Sequence, residues 1–374
     1  MTLLRWLLLP FITLLTLSFM IIGPTTQDFV KIGDKGVHTV KQGSTEIWTA
    51  DDDTWSFIVV PDTQRLAPNN PTAYNSLIQH IVDEAISQNV KMVVFLGDLV
   101  NNGASASEWT AAFNAIDRLH AAGIPFILMA GNHDYDDDGQ GSYSRKETNW
   151  IAKFPHSDFT AYDWYLGSYN NITTNMAAQI TVGNYRYRFI GNEFSPRAGA
   201  LTWAKGLAAE SDYDRLIYAA HTLTDPEAFY AGESRPPGGT GQDGQPQYYG
   251  VCNFSTDADC KTGQEIYDEL IAVEDRTAFA FSGHDVVGGG AANDIQGVRR
   301  QSAYSKRVDT VNGKPRNVHL LNYQNISTAS YAGSAYYRKY TITHSDKSFV
   351  TETYNPVQDT FLTDSENQFT GNFH

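Results

Sequence analysis

The stretch Phe126-Ile127-Leu128-Met129-Ala130-Gly131-Asn132-His133-Asp134 joins an apolar run to a group of polar side chains. The apolar residues predict a buried strand, and the Gly-Asn-His-Asp sequence follows directly at its carboxyl end. An asparagine can bind a metal ion through its carbonyl oxygen, and a histidine can bind a metal ion or carry a proton. Because Gly-Asn also forms ordinary turns, the stretch becomes informative only together with the rest of the chain.

Four other apolar runs also end on residue types that bind metal ions. They supply Asp62 and Gln64 after residues 57–60, Asp98 after residues 92–96, His221 after residues 216–220 and His284 after residues 278–281. Carboxylate and amide oxygens mixed with imidazole nitrogens suit Mn, Fe or Zn. A carboxylate that is shared between two ions is typical of two-metal hydrolysis. We interpret the coordinated strand ends of one sheet as a metal centre.

Helices are predicted between the first three strands. Apolar residues recur at helical spacing over 72–87, and Ser105 with Glu108 forms a capping box before a second helix that ends at Gly123. Strands that alternate with helices indicate a parallel sheet built from βαβ units. Ligands bind beyond the carboxyl ends of such strands, where the predicted metal-binding side chains lie.

The second half of the chain is richer in β-strand patterns. A hairpin is predicted over 180–190 with its turn at Gly183-Asn184, and β-forming runs occur at 318–321, 336–343 and 349–354. These runs indicate a second, more antiparallel sheet that packs on the first. Residues 232–262 are rich in Gly, Pro and Gln, which predicts a lid or a substrate wall beside the site.

The composition limits the classes of protein and partner. The chain has 374 residues, of which 41% are hydrophobic, and this is enough for a packed core. The formal net charge of −15 at pH 7 argues against a nucleic-acid-binding surface, because phosphate backbones require a basic one. A small phosphorylated substrate is compatible with this charge, since bound cations would reverse the potential locally.

The N-terminus and several surface motifs indicate export. Residues 1–23 contain one arginine and then a long apolar stretch, which predicts a secretory signal peptide or a membrane anchor. Cys252 and Cys260 are the only cysteines and lie close together, so one disulfide is expected. Glycosylation sequons begin at Asn171, Asn253 and Asn325. We therefore predict a secreted or cell-surface protein.

The order of the motifs resembles that of the calcineurin-like metallophosphoesterase superfamily. Pro61-Asp62-Thr63-Gln64 is similar to the first motif of its secreted branch, and residues 193–197, 322–324 and 364–370 also look like that branch. The resemblance covers about residues 55–370. It implies an α/β fold, a four-layer α/β/β/α metallophosphoesterase sandwich. The segments would be a signal peptide or signal anchor at 1–23, a lead-in at 24–53 and one phosphoesterase domain at 54–374.

The resemblance also implies a two-metal centre. One divalent ion would be bound by Asp98, Asn132, His221 and His284, and the other by Asp62, Gln64 and the shared Asp98. A hydroxide that bridges the ions would attack phosphorus in line, while the cations neutralise the developing charge.

The resemblance assigns catalytic roles to further side chains. His133 would protonate the leaving oxygen or stabilise the phosphoryl oxygens, and Asp98 or Asp134 would orient it. Arg197 would contact the phosphate, and its alternative role is a surface ion pair.

Two residues depart from the pattern of the superfamily. Gln64 stands where the first motif commonly has a histidine, and Val286 stands where Gly-His-x-His has its second histidine. Both changes affect the same ion, which keeps two carboxylates and an amide oxygen. This set favours Mn, Mg or Ca over Zn, whereas the intact set suits Mn, Fe or Zn. The number of resident ions, one or two, therefore stays open.

We expect a secreted metal-dependent phosphoesterase that hydrolyses phosphate mono- or diesters, and the sequence supports no prediction of its oligomeric state. The alternative is a catalytically weak or inactive relative that acts as an extracellular, metal-stabilised binding module. His133 beside intact metal ligands argues against that alternative.

Residues 134–139 match the start of an EF-hand loop, but Arg145 replaces the glutamate of its twelfth position. No serine-hydrolase elbow or nucleotide-binding glycine loop occurs.

Overall fold

The computed structural model describes residues 39–42, 45–49, 53–136, 145–225, 230, 259–285, 303–326 and 329–374. The chain divides into a small unit, residues 1–31 and 37–50, and a large unit, residues 32–36 and 51–374. The predicted leader at 1–23 lies outside the described residues, as do Cys252 and most of the Gly- and Pro-rich segment at 232–262. Among the described residues, no helix is both long and apolar enough to cross a membrane.

The regular elements alternate along the chain. The strands are β1 Thr39–Gln42, β2 Thr45–Thr49, β3 Thr54–Val60, β4 Val90–Phe95, β5 Phe126–Ile127, β6 Tyr165–Ser168, β7 Met176–Val182, β8 Tyr185–Asn192, β9 Arg215–Ala220, β10 Thr277–Ser282, β11 Ala303–Val311, β12 Lys314–Asn322, β13 Tyr337–Thr343, β14 Ser348–Asn355, β15 Thr360–Leu362 and β16 Thr370–Asn372. The α-helices are α1 Leu66–Asn69, α2 Pro71–Glu84, α3 Ala106–Ala122, α4 Thr148–Lys153, α5 Ala198–Ala209 and α6 Gly263–Ile266. In the small unit, β1 and β2 form an antiparallel hairpin.

The strands in the described part of the large unit form two seven-stranded sheets. The first has the order β15-β14-β13-β3-β4-β5, and β16 pairs with β14. Strands β3, β4 and β5 are parallel, while β13 is antiparallel to β3. The second has the order β11-β12-β10-β9-β8-β7-β6, and its strands β8, β9, β10 and β12 are parallel. Both sheets therefore combine parallel and antiparallel strands, with the parallel strands at one end of the first sheet and in the middle of the second.

The helices begin and end at the residues that their sequence favours. The Asn70 side chain accepts a hydrogen bond from the Ala73 backbone at 3.0 Å, and Pro71 occupies the first position of α2. Ser105 caps α3, and Gly123 ends this helix with φ 67°. The predicted hairpin is confirmed, since β7 and β8 pair from Met176 to Val182 across the Gly183 turn.

Both faces of the second sheet are buried, as the alternating residues of β10 show. Phe279 and Phe281 point toward the first sheet, where their rings lie 5.7 and 5.9 Å from the Phe57 ring. Ala280 joins a separate apolar cluster that includes Leu201 of α5. The apolar faces of α2 and α3 belong to the main hydrophobic core, which also includes Phe57, Phe279 and Phe281. These layers confirm the predicted α/β sandwich.

The predicted division of strands between the sheets is wrong in two respects. The strand ends that carry His221 and His284 belong to the second sheet, so the five runs do not form one sheet. Strands β13 and β14 belong to the first sheet, where β13 pairs with the buried strand β3. Alternation within a strand shows which faces are buried, but it does not show which neighbour forms its hydrogen bonds.

Candidate metal centre

Strand ends from both sheets meet at one buried group of metal-binding side chains. Asp62, Asp98 and His221 each offer an atom that lies within 4.8 Å of the other two. The Nε2 atom of His221 is 3.5 Å from Oδ1 of Asp98 and 3.9 Å from Oδ1 of Asp62. All three side chains are almost completely buried. Two carboxylates and an imidazole at such distances can share a divalent cation.

Asn132 and His284 extend this group. The amide oxygen of Asn132 lies 3.3 Å from Nε2 of His221 and 2.9 Å from Nδ1 of His284. The Nδ1 atom of His221 lies 2.6 Å from the carbonyl oxygen of Leu96, which can only accept, so Nδ1 donates and Nε2 is the nitrogen that can bind a cation once it has lost its proton. Several lone pairs therefore converge, and this donor set fits a cation.

The backbone around the ligands adopts conformations that few residues tolerate. Asp98 has φ 51° and His284 has φ 67°, both in the left-handed region that is costly for residues with a Cβ atom. Gly131 lies directly against the Asp98 carboxylate, where a Cβ atom would collide. Gly283 lies against the Asp62 carboxylate in the same way. The Gly-Asn-His-Asp and Gly-His motifs thus need glycine for close approach to the acidic ligands.

Main-chain donors hold both carboxylates. The backbone N–H of His284 lies 3.1 and 3.3 Å from the two carboxylate oxygens of Asp62. The backbone N–H of His133 donates to Oδ1 of Asp98 at 2.9 Å. The second sheet therefore orients a ligand of the first sheet, and the ligand positions depend on the packing of the two sheets.

Burial and neighbouring charges shift the pKa values of the group in different directions. Burial raises the pKa of Asp62 to about 8, and the Asp98 carboxylate adds to this effect. Burial also opposes charge on Asp98, but the His221 and His133 imidazoles hold the pKa of this carboxyl below its usual value. Burial opposes a charged His221, yet Asp98 raises the pKa of His221 to about 9. Burial and the nearby His221 lower the pKa of His284 to about 3.

His133 lies at the rim of the group and is partly exposed. Its Nδ1 atom is 2.8 Å from the carbonyl oxygen of Asn101, so Nδ1 carries the proton and Nε2 is the other reactive nitrogen. Glu108 holds this loop, because its carboxylate accepts from the backbone N–H groups of Asn101 and Asn102 at 2.7 and 2.9 Å. Only one of the two hydrogen bonds of the predicted capping box is therefore present. The Ser105 side chain accepts from the Glu108 backbone N–H, but the Glu108 carboxylate binds the loop before the helix and not the Ser105 backbone.

Asp134 does not orient the His133 imidazole. Its carboxylate accepts hydrogen bonds from the backbone N–H groups of Leu99, Val100 and Gly131 at 2.8, 3.2 and 2.8 Å. It therefore fixes the loops that follow β4 and β5 against each other. The Asn101 carbonyl oxygen performs the orienting role that the sequence suggested for an aspartate.

Gln64 lies in a buried position beside Gln324, a residue for which no role was predicted. The amide nitrogen of Gln64 donates to the side-chain oxygen of Gln324. The amide oxygen of Gln64 is buried and has no hydrogen-bond partner among the described residues. Gln324 follows an apolar run just as the predicted ligands do, so the rule for strand ends could have found it.

Arg197 lies in an ion-pair network. Its guanidinium binds both carboxylate oxygens of Glu193 at 2.7 and 2.8 Å and the Glu147 carboxylate at 3.0 Å. The Arg145 guanidinium lies 3.5 Å from the same Glu193 carboxylate. These contacts match the alternative ion-pair role of Arg197, and contact with a phosphate stays a prediction. The neighbouring Phe194 ring packs 4.8 Å from the His284 ring, so the network supports a wall of the site.

Replacing Glu193 with alanine is expected to destabilise the fold by about 3–5 kcal/mol. Burial opposes the charge of Glu193, but Arg145 and Arg197 lower its pKa, so its carboxylate is ionised at neutral pH. In the variant, both arginine side chains lose this negatively charged partner. Urea unfolding measures the loss. Glu352→Ala, which removes a partly exposed partner of Lys339, is the control and should cost at most ~1 kcal/mol. Equal losses in both variants would show that the buried network adds no more than a surface pair.

Comparisons with known proteins show the family to which the chain belongs. A sequence model of the calcineurin-like phosphoesterase family matches residues 56–288, more than half of the chain. A protein of Bacillus subtilis (strain 168) named "Uncharacterized protein YvnB" is 32% identical over 120 residues, which are 32% of this chain and 9% of that protein.

Solved structures with a similar fold have low sequence identity to this chain. Purple acid phosphatase PPD1 from yellow lupin (Lupinus luteus) seeds superposes with a TM-score of 0.48 and 15% identity, over 85% of this chain and 53% of that one. GAP50, the anchor in the inner membrane complex of Plasmodium, gives a TM-score of 0.42 and 11% identity, over 86% and 88% of the two chains. The chain thus spans about half of the lupin protein and less than a tenth of the Bacillus protein.

Proposed function

The chain belongs to the calcineurin-like phosphoesterase family, and from this premise we propose that it is a secreted hydrolase of phosphate mono- or diesters that works with one or two divalent ions. The observation that carries the proposal is the convergence of ligand atoms from five strand ends, with His133 at the rim. A small phosphorylated substrate fits such a centre, since cations there would offset the negative charge of the protein.

We assign the ligands in two sets. Asp98, Asn132, His221 and His284 would hold one ion, and Asp62, Gln64 and the shared Asp98 would hold the other. The first set mixes nitrogen and oxygen donors and suits Mn, Fe or Zn, whereas the second has only oxygen donors and suits Mn, Mg or Ca. When bound, such ions would lower the pKa of a water molecule and neutralise charge on the phosphoryl oxygens.

The side chains of this chain supply the remaining chemistry. His133 presents Nε2 at the rim, where it would protonate the leaving oxygen of the ester. The Asn101 carbonyl oxygen accepts from Nδ1, so the imidazole acts as an acid in its doubly protonated form, with the transferable proton on Nε2. Asp98 contributes charge to the ligand group and also accepts from the His133 backbone, so it couples the metal centre to the acid.

Hydrolysis assays test the proposal directly. The purified protein is depleted of metal with a chelator and then assayed on p-nitrophenyl phosphate and bis(p-nitrophenyl) phosphate after Mn, Fe, Zn, Mg or Ca is restored. Turnover that depends on the restored ion is expected, and the preferred ester defines the substrate class. Metal binding without turnover of either ester would favour the second candidate, a metal-stabilised extracellular binding module.

The extracellular location rests on the predicted leader, the predicted Cys252–Cys260 pair and the sequons. Asn171, the first sequon asparagine, is exposed and therefore accessible to modification. Sequencing of the N-terminus from the culture medium tests the location and distinguishes a cleaved signal from an anchor. Protein found only inside the cell with an intact leader would contradict it.

Ion binding is expected to release nearly two protons per chain at pH 7 and to tighten as the pH rises. The pKa of Asp62 is about 8 and that of His221 about 9, so both groups carry a proton at pH 7 that a cation must displace. The logarithm of the affinity for Mn2+ should therefore rise with pH up to about 8 and more gently to about 9. Calorimetry in buffers of different ionisation enthalpy measures the released protons. An affinity that does not change with pH would show that neither residue carries a proton at pH 7 that the ion displaces.

A further inference from the structure

The end of strand β12 connects the two proposed ligand sets. Asn322, the last residue of β12, donates from its side chain to the backbone carbonyl oxygen of His284 at 3.1 Å. Its side-chain oxygen accepts from the backbone N–H of Gln324 at 3.0 Å. The Gln324 side-chain oxygen in turn accepts from the amide nitrogen of Gln64. Since His284 also contacts the Asp62 carboxylate, these bonds close a ring around one side of the centre.

The orientation of the Gln64 amide decides whether this residue can bind a cation. Only the oxygen of a carboxamide is a ligand, because its NH2 group has donor hydrogens and no available lone pair. In the structure, the NH2 group faces Gln324, and the oxygen is left buried without a partner among the described residues. A buried polar atom without a partner destabilises the fold. A cation at this oxygen would remove that destabilisation.

We propose that Gln324 is a positioning residue that turns the carbonyl oxygen of Gln64 toward a divalent ion beside Asp62 and Asp98. This inference rests on the proposed function and deepens it, because it explains how an amide serves as a ligand in the weaker of the two sites. Asn322 fixes the Gln324 backbone relative to His284, so the acceptor for Gln64 is held by the same strand that supports the other ligand set. The resulting oxygen-only site suits a hard ion such as Mn2+.

A carboxylate at position 64 provides the test, because either of its oxygens can bind a cation and no partner needs to orient it. Mn2+ binding to chelator-treated protein is measured by equilibrium dialysis and by electron paramagnetic resonance, which distinguishes coupled ion pairs from single ions. Gln324→Met is expected to weaken the second ion about 10–100-fold and to remove the coupled signal. Gln64→Glu and the double variant Gln64→Glu/Gln324→Met should bind the second ion equally, within about threefold, because the introduced carboxylate does not depend on residue 324.

Several outcomes would overturn the inference. A second ion that binds Gln324→Met as tightly as the wild type shows that Gln324 orients nothing. A double variant that loses the ion while Gln64→Glu keeps it shows that Gln324 acts by another route. If Gln324→Met does not fold, Gln324→Glu takes its place, because a carboxylate at position 324 keeps the acceptor oxygen for Gln64. Loss of the second ion in Gln324→Glu would equally overturn the inference. Wild-type protein with one tight ion removes this inference but leaves the proposed hydrolase, whereas wild-type protein with no ion removes both.

Discussion

Replacing Asp98 with asparagine is expected to prevent the binding of both ions and to lower kcat/KM for p-nitrophenyl phosphate roughly a thousandfold or more, at least ~4 kcal/mol. The Asp98 carboxylate lies between the proposed ligand sets, 3.5 Å from Nε2 of His221. It also accepts from the backbone N–H of His133. Asparagine keeps the size of the side chain but carries no charge, so the pair of cations loses its shared anion. Metal analysis after dialysis and steady-state kinetics measure the two effects.

Asp62→Asn is the matched control, since the proposal makes Asp62 a ligand of one ion only. This variant should retain the ion that is bound by the other set and should contain one Mn2+ per chain. Its activity then reports what a single ion supports. Wild-type metal content in Asp98→Asn would show that this carboxylate is not shared. Loss of both ions in Asp62→Asn would show that the two sites cannot be occupied independently.

The ligand group could be predicted because each of its members follows an apolar strand. The strands that precede Asp62, Asp98 and Asn132 are parallel neighbours, so their carboxyl ends had to meet at one edge. His221 and His284 follow β9 and β10, which belong to the second sheet. The sequence pattern had placed these two strands in the same sheet as β3, β4 and β5. Asp62, Asp98, Asn132, His221 and His284 still lie close together although two of the sheet assignments were wrong, since the two sheets bring their strand ends to one place.

The long-range contacts around the site were not predictable in the same way. Gln324 contacts Gln64 although 260 positions separate them, and Arg338 pairs with Val59 across the junction of β13 and β3. Such contacts depend on which strands become neighbours, and hydrophobic periodicity carries no information about that choice. Glu108 shows a local version of this limit. Its spacing from Ser105 matches a capping box, yet the preceding loop offers two N–H groups that bind its carboxylate.

The role of His133 can be separated from that of the metal ligands by its geometry. Its Nδ1 atom binds the Asn101 carbonyl oxygen, and its imidazole is partly exposed, whereas His221 and His284 are buried. A general acid must reach the leaving oxygen of a substrate and needs one nitrogen that is not committed to the fold. Nε2 of His133 meets this requirement. In His221, by contrast, Nδ1 contacts the Leu96 carbonyl oxygen and Nε2 faces the ligand group.

Replacing His133 with alanine is expected to slow the hydrolysis of phenyl phosphate about 10²–10⁴-fold while the metal content stays unchanged. Phenolate is a poor leaving group and needs the proton, whereas p-nitrophenolate leaves without one, so p-nitrophenyl phosphate should lose much less. Steady-state kinetics with both esters and metal analysis measure the difference. His156→Ala is the control: this histidine contacts Tyr165 and Ser168 at strand β6, and its loss should leave both rates unchanged.

The dependence on the leaving group distinguishes catalysis from support of the fold. If His133→Ala lowered both rates equally and also lost metal, the histidine would act by holding Asp98 and the centre together. If neither rate changed, the proton would come from elsewhere, most simply from solvent at the partly exposed rim. Only a loss that grows with the basicity of the leaving group, at full metal content, identifies the side chain as the acid. A binding module would have no use for that property, so this result would also decide between the two candidate functions.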